Sequence, residues 1–332
     1  MRFILWVVVL AFLGWSGFWV LTARTIESTA GSWFDDRRIE GWAADFSALD
    51  VGGYPYRFDA RFDDLALADP GTGVVWTMPE FELTALAYQP GHIIALFPEE
   101  QTLASPFNTL TVTNEDMRAS ARLSGTTLAL QDSTMELAGV VATSTQGWEV
   151  TLDRALLAAR AVPAVAHTYD LFLEANDLRP SDALRLGLDR EGRLPATFET
   201  FKLDARVAFD APWDRFAIER ARPQPTQIEL KTLETRWGQL ELLGAGTLDI
   251  ARDGTPEGTI TVKATNWREI ISIGQALGTI PASAVPSLTR GLEFLSALSG
   301  PSNTLDIPLS FMGGFVTVGP IPLGAAPKIR LR

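Results

Sequence analysis

The chain has 332 residues, with 40 Asp and Glu against 28 Lys and Arg, and its formal net charge at pH 7 is −12. This acidic balance argues against a nucleic-acid-binding protein, since phosphate recognition needs clustered Lys and Arg, and against tight binding to an anionic membrane surface. The hydrophobic content of 46% predicts a folded core rather than a disordered chain.

The first predicted element is a membrane-spanning helix at the N-terminus. Arg2 is followed by an uncharged, mostly apolar run from Phe3 to Ala23, and Arg24 ends it. At about 1.5 Å rise per residue, a helix of this length is roughly 31 Å long, which matches a hydrocarbon core of roughly 30 Å. We therefore predict a transmembrane anchor over residues 1–24, whose removal is expected to leave a domain with its own core. Its aromatic residues suit interfacial belts, with Trp6 near one end and Trp15, Phe18 and Trp19 towards the other.

The orientation of this helix follows from the positive-inside rule. Arg2 and the terminal amine precede the apolar run, and a single span with a short basic tail usually leaves the bulk of the chain outside the cytoplasm. We expect a single-pass inner-membrane protein, N-in, with its C-terminal domain in the periplasm. The chain has no cysteines, which neither opposes nor proves export.

A cleaved secretory signal is the alternative interpretation of the N-terminus. Such signals usually have an apolar core of about 7 to 15 residues and small residues at the first and third positions before the cleavage site. The run here is longer, and Leu21 stands where a pattern ending at Ala23 requires a small residue. Ser28-Thr29-Ala30 fits a peptidase better but lies several residues beyond the run. The sequence therefore favours an uncleaved signal-anchor.

The anchor helix is expected to continue beyond the membrane. Apolar residues recur at helical spacing, with charged residues on the opposite face up to Gly41; they are Ile26, Ala30, Trp33 and Phe34. This pattern predicts an amphipathic helical extension over residues 25–44.

The segment from Val51 to Asp59, VGGYPYRFD, is unusually dense in special residues. Its glycines and proline suit a sharp β-turn, and Arg57 can pair with a carboxylate. A structural turn is favoured here over a ligand site.

Most of residues 45–332 are predicted to form antiparallel strands. Phe201, Leu203, Ala205, Val207 and Phe209 alternate with polar or small residues, which places one face of a strand against apolar surroundings. Turn signals such as Asp69-Pro70-Gly71 separate the strands. At Asp63-Asp64 the apolar phase changes, which predicts a bulge or bend rather than a metal site. The fold class is therefore mainly β (α+β), with a large curved antiparallel sheet.

A helical hairpin is predicted at about residues 266–300. Asn266 and Glu269 form an N-cap pattern. The first helix carries an apolar stripe of Ile270, Ile273, Leu277 and Ile280, and the second carries Val285, Leu288, Leu292, Leu295 and Leu298. We expect the Ile270/Leu277 face to cover an open edge or face of the sheet.

No pattern of residues points to catalysis, a metal or a cofactor. The two histidines, His92 and His167, have no catalytic or metal-ligand partner at usable spacing. Nucleophile-elbow, phosphate-loop, zinc-protease and dinucleotide motifs are absent from the sequence. We therefore expect a protein that is not an enzyme and has no catalytic, cofactor-binding or metal-binding residues.

Several segments resemble an uncharacterised alphaproteobacterial family, domain of unknown function 2125, across nearly the whole chain. They are SWFDDRRIEGW, VGGYPYRFDARFDDLALADP, PEGTITVKATNW and FVTVGPIPLG. The resemblance implies a membrane-anchored envelope protein and no reaction. More distantly, the order of an anchor, a G-[YF]-P hairpin and many amphipathic strands is similar to AsmA-like periplasmic proteins, in which a curved sheet forms a lipid-carrying groove.

Our leading hypothesis is a non-enzymatic protein that binds or transfers lipid or another hydrophobic ligand on a curved sheet. One-sided apolar strands outnumber the helices available to cover them. The candidate ligand face is Phe201, Leu203, Val207 and Phe209. The alternative is an envelope structural or assembly factor that binds a protein partner, and an envelope hydrolase is third.

Overall fold

The computed structural model describes residues 2–189, 194–219, 222–276, 278, 280–299 and 304–331. About 54% of the residues are in strands, roughly twice the usual share of 20–25%. The described strand pairs are antiparallel. The predicted fold class is confirmed in these respects: a long apolar N-terminal helix, a large antiparallel sheet and a few short helices.

Helices and strands alternate irregularly along the chain. The helices are α1 (Arg2–Ile39), α2 (Asp182–Leu188), α3 (Arg215–Glu219), α4 (Trp267–Ala276) and α5 (Val285–Ser299). The strands are β1 (Ala43–Asp45), β2 (Ala48–Gly52), β3 (Arg57–Asp69), β4 (Val74–Leu86), β5 (Gln89–Leu96), β6 (Glu100–Ser105), β7 (Asn108–Thr113), β8 (Asp116–Ser124), β9 (Ala129–Ser144), β10 (Glu149–Ala161), β11 (Thr168–Arg179), β12 (Phe198–Phe209), β13 (Pro225–Trp237), β14 (Leu240–Ile250), β15 (Pro256–Thr265), β16 (Thr304–Met312), β17 (Phe315–Val318) and β18 (Ile321–Ala325).

The chain divides into two compact units. Unit 1 contains residues 1–122 and 135–147, and unit 2 contains residues 123–134 and 148–332. Strand β9 therefore contributes residues to both.

In unit 1, helix α1 packs on the sheet that surrounds β3. Strand β3 pairs with β1, β2 and β4, and its Phe58 and Phe62 are buried. Trp19, Ala23 and Phe34 of α1 belong to the same buried cluster. The helix is thus continuous from its apolar first half into a second half that covers one face of the sheet.

The change of apolar phase in β3 occurs at Asp64. Phe58, Ala60 and Phe62 are buried, and Leu65 then takes up the buried phase. Asp64 between them has φ of 50°, a backbone conformation that an aspartate adopts more readily than most residues. The local bend expected from the sequence is present, and β3 continues through it.

In unit 2, β10 to β18 form an antiparallel meander in which each strand pairs with the next along the chain. Such local pairing needs only short connections. Between β15 and β16, the chain forms α4 and α5. This helical segment confirms the helices predicted at about residues 266–300.

Helices α4 and α5 pack against the end of β15 and β16. Trp267 and Leu292 are each 1% exposed, and Ile271 is 6% exposed. Together with Ala264 and Leu305 of the two strands they form one buried cluster. The predicted Leu277, and the side chains predicted at 295 and 298, lie outside the described residues. The Asn266 side chain donates to the carbonyl of Gln239 at 2.6 Å, so it fastens the start of α4 to the β13–β14 turn.

Candidate hydrophobic-ligand site

One face of the unit 2 sheet is apolar across seven strands, β10 to β16. Hydrogen-bonded neighbours form a row that crosses the sheet: Leu157, Leu173, Leu203, Leu233, Gly244, Val262 and Ile307. The next row on the same face is Ala159, Leu171, Ala205, Leu230, Gly246, Ile260 and Leu309. Side chains two residues apart point to the same face of a strand, and on β13 a register shift between Leu230 and Leu233 brings these two leucines into neighbouring rows. The rows therefore form one continuous surface.

The two ends of this apolar face are more deeply buried than its middle. Towards one end Ala264 and Leu305 are 1% and 3% exposed beneath α4 and α5. Towards the other, Tyr169 and Val207 are 5% and 6% exposed. Between them, Leu157 is 39% exposed, and the neighbouring residues of its row on β11, β12 and β13 are half-buried. Apolar surface in the middle of the face is therefore still accessible.

The opposite face of the same strands is charged. Asp170 Oδ1 lies 2.9 Å from Arg206 Nε and 2.7 Å from Lys231 Nζ, and Lys231 also lies 3.4 Å from Asp204 Oδ1. The hydrogen bond from Arg206 is the main cause that lowers the pKa of Asp170 to about 2, with Lys231 adding to it. These groups are partly exposed, so this face suits water and leaves the apolar face for burial.

A cavity of about 340 Å³ lies where the apolar face meets α2 and α4. Its size falls within the usual range for ligand pockets, about 300–1,000 Å³. Thr235 is polar, and the other lining residues are hydrophobic. The lining consists of Leu178, Pro180, Leu184, Leu188, Phe198, Thr235, Trp237, Leu240, Leu242, Ile270 and Ile273. This lining suits a ligand portion made of hydrocarbon.

Local contacts hold the walls of the cavity in place. Helix α2 begins at Ser181, whose hydroxyl accepts a hydrogen bond from the Leu184 amide at 3.2 Å, an N-cap that stabilises the first turn. On the sheet side, the Trp237 indole donates to the carbonyl of Pro195 at 2.9 Å. Its ring lies 5.5 Å from that of Phe198. The Trp237 ring is therefore held in place by the hydrogen bond from its indole nitrogen and by packing against the Phe198 ring.

The four residues predicted as a ligand face lie along β12 but have different surroundings. Phe201 and Leu203 are half-buried. Phe201 lies in the row nearest α4, and Leu203 lies in the row at the middle of the face. Val207 is 6% exposed, and the Phe209 ring lies 6.0 Å from Tyr169 and 5.6 Å from Trp213. The latter two residues have packing roles within unit 2, and the ligand role of all four stays a prediction.

Sequence reasoning missed the cavity, because its walls come from four strands and two helices. Phe198 and Trp237 carried a usable signal, since each is a large aromatic residue at the end of a strand, β12 or β13. Leu184 and Leu188 stand at helical spacing after a Ser-Asp start, which marks α2 as a short amphipathic helix.

The histidines and acidic residues in the described part of the chain form no metal-binding group. His92 is half-buried on β5, and His167 is exposed. Within residues 2–189 and the later described segments, there is no group of three or more His, Asp or Glu side chains placed to hold a metal ion. The apolar face and its cavity form the candidate site for a hydrophobic ligand.

Comparison with known protein families shows which family the chain belongs to. A family model described as an uncharacterized protein conserved in bacteria, DUF2125, matches residues 19–327. The chain belongs to the DUF2125 family. The match begins at Trp19, inside the apolar first half of α1, so in this DUF2125 protein it covers the second half of that helix and the described strands. No curated protein and no solved structure gives a significant match.

Proposed function

We propose that this DUF2125 protein is a membrane-anchored protein that binds or transfers a hydrophobic ligand, with lipid acyl chains as the ligand class, on the apolar face of unit 2. The observation that carries the proposal is the apolar cavity of about 340 Å³ continuous with rows of half-buried aliphatic residues. Apolar surface left in water costs roughly 25 cal/mol per Å². A hydrocarbon ligand removes that cost without requiring polar partners.

The bilayer is the most abundant source of such a ligand if the chain is anchored in it. Helix α1 is long and apolar enough to span a membrane. Its first part presents large side chains outward, with Phe3 80%, Leu5 63% and Leu13 59% exposed. Exposed aliphatic and aromatic side chains of this kind suit lipid surroundings. Envelope lipid would then be available beside the protein throughout its lifetime.

We further propose an N-in orientation with both units in the periplasm, on the positive-inside rule. Reporter enzymes fused after Arg330 test it. A reporter that works only in the periplasm should be active, and one that works only in the cytoplasm should be silent. The reverse pair of activities would overturn the orientation while leaving the ligand proposal standing.

A charge in the cavity wall should block ligand binding without unfolding unit 2. Leu184 lines the cavity and is 50% exposed, so Leu184→Asp places a carboxylate at the cavity at little cost to folding. Full-length protein in nanodiscs is irradiated with a photoreactive fatty acid, and cross-linked peptides are mapped by mass spectrometry. We expect wild-type cross-links in segments that line the cavity, reduced about tenfold or more in the variant, the scale expected for placing a charge beside an acyl chain.

The matched control is Leu186→Asp. Leu186 lies on the same helix and is 49% exposed, but it is not among the residues that line the cavity. This variant should retain wild-type cross-linking. Cross-links to α1 provide an internal standard, since lipid surrounds that helix in every sample. Cross-links to α1 without cross-links to the segments that line the cavity would reject the ligand proposal. They would favour a protein partner for the apolar face.

A further inference from the structure

Two turns at one end of unit 1 carry three of the chain's four tyrosines. The β2–β3 turn contains Tyr54 and Tyr56, which are 44% and 70% exposed, and the β4–β5 turn contains Tyr88, which is 71% exposed. The two turns are adjacent, because the Ala87 amide donates to the carbonyl of Tyr56 at 2.8 Å. We call these three residues the tyrosine end.

The tyrosine end is fastened to the apolar part of α1. The Trp15 indole donates to the carbonyl of Pro55 at 3.0 Å, and the Trp19 indole donates to the carbonyl of Arg57 at 2.8 Å. The Tyr54 hydroxyl lies 2.8 Å from Ser16 Oγ. These contacts satisfy two turn carbonyls inside the protein, as a turn removed from water requires.

The turn itself is built for this close approach. Gly53 has φ of +91°, and a Cβ there would lie 2.7 Å from Asp59 Oδ2 and 2.9 Å from the carbonyl of Arg57. Its carbonyl accepts from the amide of Arg57 at 2.9 Å. A side chain at position 53 would therefore displace the strand that presents the Arg57 carbonyl to Trp19.

The position of these contacts along α1 sets the depth of the turns. From Phe3 to Trp15 the helix rises only about 18 Å, short of a hydrocarbon core of roughly 30 Å. The apolar run must therefore continue through the bilayer beyond Trp15. Phe18 and Leu21, 48% and 67% exposed, remain available to lipid at the level where Trp19 is packed on the sheet. A membrane that covers Leu21 also reaches the turns bound to Trp15 and Trp19.

We propose that the tyrosine end is a second membrane contact, in which Tyr54, Tyr56 and Tyr88 lie in the headgroup and upper acyl region of the bilayer that α1 spans. Tyrosine is enriched at this depth because its ring is apolar and its hydroxyl reaches water. Unit 1 is then held against the bilayer through its turns as well as through its helix. This inference rests on the proposed anchoring by α1 and is independent of ligand binding by unit 2.

Because the natural chain contains no cysteine, single nitroxide labels test the proposal directly. Tyr56→Cys and Tyr88→Cys are labelled in the full-length protein and reconstituted in vesicles of phosphatidylethanolamine and phosphatidylglycerol. Accessibility to oxygen, which partitions into the bilayer, is compared with accessibility to a water-soluble nickel chelate. Both labels should show an oxygen-to-nickel ratio several-fold above that of a water-exposed label.

Phe107→Cys supplies the water-exposed reference. Phe107 is 87% exposed and follows β6, which pairs with the start of β4 near Val75, whereas Tyr88 follows the end of β4. The 13 residues of β4 separate the two positions by roughly 40 Å. Phe107 therefore matches the tyrosines in aromatic character but lies at the opposite end of β4.

Leu10→Cys separates failure of this inference from failure of the anchor. Leu10 is 65% exposed near the middle of the apolar run. A buried label at position 10 with aqueous labels at 56 and 88 would overturn the membrane contact and leave the anchor intact. An aqueous label at position 10 would overturn both. Oxygen-rich surroundings at 10, 56 and 88, with aqueous surroundings at 107, support the proposal.

Discussion

Deletion of residues 1–24 is expected to destabilise unit 1, whereas deletion of residues 1–13 is not. The longer deletion removes Trp19, which is 9% exposed and whose ring stacks 5.5 Å from that of Phe58. It also removes Ala23, which is 5% exposed. Loss of a buried tryptophan side chain alone typically costs about 3–5 kcal/mol. The shorter deletion removes large apolar side chains that are exposed and outside the buried cluster.

Both truncated proteins are compared by denaturant unfolding and by limited proteolysis with peptide mapping. We expect early cleavage within residues 43–122 for the longer deletion only. Full-length Trp19→Ala should reproduce most of its loss of stability, and Trp6→Ala, at a residue that is 66% exposed, should not. Equal resistance of the two truncated proteins would contradict the role of Trp19 and Ala23 in the core.

This packing also bears on the alternative of a cleaved signal. Cleavage after Ser28-Thr29-Ala30 would remove Trp19 and Ala23 from the buried cluster, together with the partly buried Ile26. The sheet face beneath them would then meet water. The cost of exposing that face supports the proposal that the helix is retained after export. It also changes the expectation that a form lacking residues 1–24 keeps its complete core.

The strands were predictable because their signal is local. Apolar residues two positions apart, as from Phe201 to Phe209, indicate a strand with one buried face whatever it pairs with. The β3 bend was predictable for the same reason, since the change of phase at Asp63-Asp64 lies within five residues. The helices between β15 and β16 followed from helical spacing and from Gly300-Pro301 after the second helix.

The role of Trp19 was not predictable from the apolar run. A helix face that meets lipid and one that meets an apolar sheet use the same residue types, so Trp19 was assigned to an interfacial belt. Its hydrogen bond to the carbonyl of Arg57 joins residues 38 positions apart, and nothing in either segment specifies the pairing. Long-range pairing of this kind is decided by packing in three dimensions.

The cavity escaped prediction for a related reason. Its lining extends from Leu178 to Ile273, and the apolar residues of each segment are equally suited to a closed core. The same limit applies to Val207, which the alternating pattern assigned to an accessible face. At 6% exposed, Val207→Asp would test folding more than ligand binding. Leu184, half exposed at the cavity wall, is the better position for that test.

Leu292→Asp is expected to lower the free energy of unfolding of unit 2 by about 4 kcal/mol or more. Leu292 is 1% exposed and packs in the cluster that contains Trp267, Ile271 and Leu305. The substitution removes buried aliphatic contacts, which alone cost about 2–5 kcal/mol. It also requires an unpaired carboxylate either to be buried or to become protonated. Helix α5 should then separate from the strand end, and α4 should lose its support.

Phe294→Asp on the same helix is the control, because Phe294 is 68% exposed. Urea unfolding followed by peptide-resolved hydrogen exchange should show faster exchange in α4, α5 and β16 for Leu292→Asp, and wild-type exchange for Phe294→Asp. Since Ile270 and Ile273 of α4 line the cavity, photoreactive fatty acid should also label the cavity segments less in Leu292→Asp. Unchanged stability at position 292 would show that the α4–α5 cluster does not support this end of the sheet. Lower stability with unchanged labelling would show instead that the ligand binds to the middle of the apolar face rather than beneath α4.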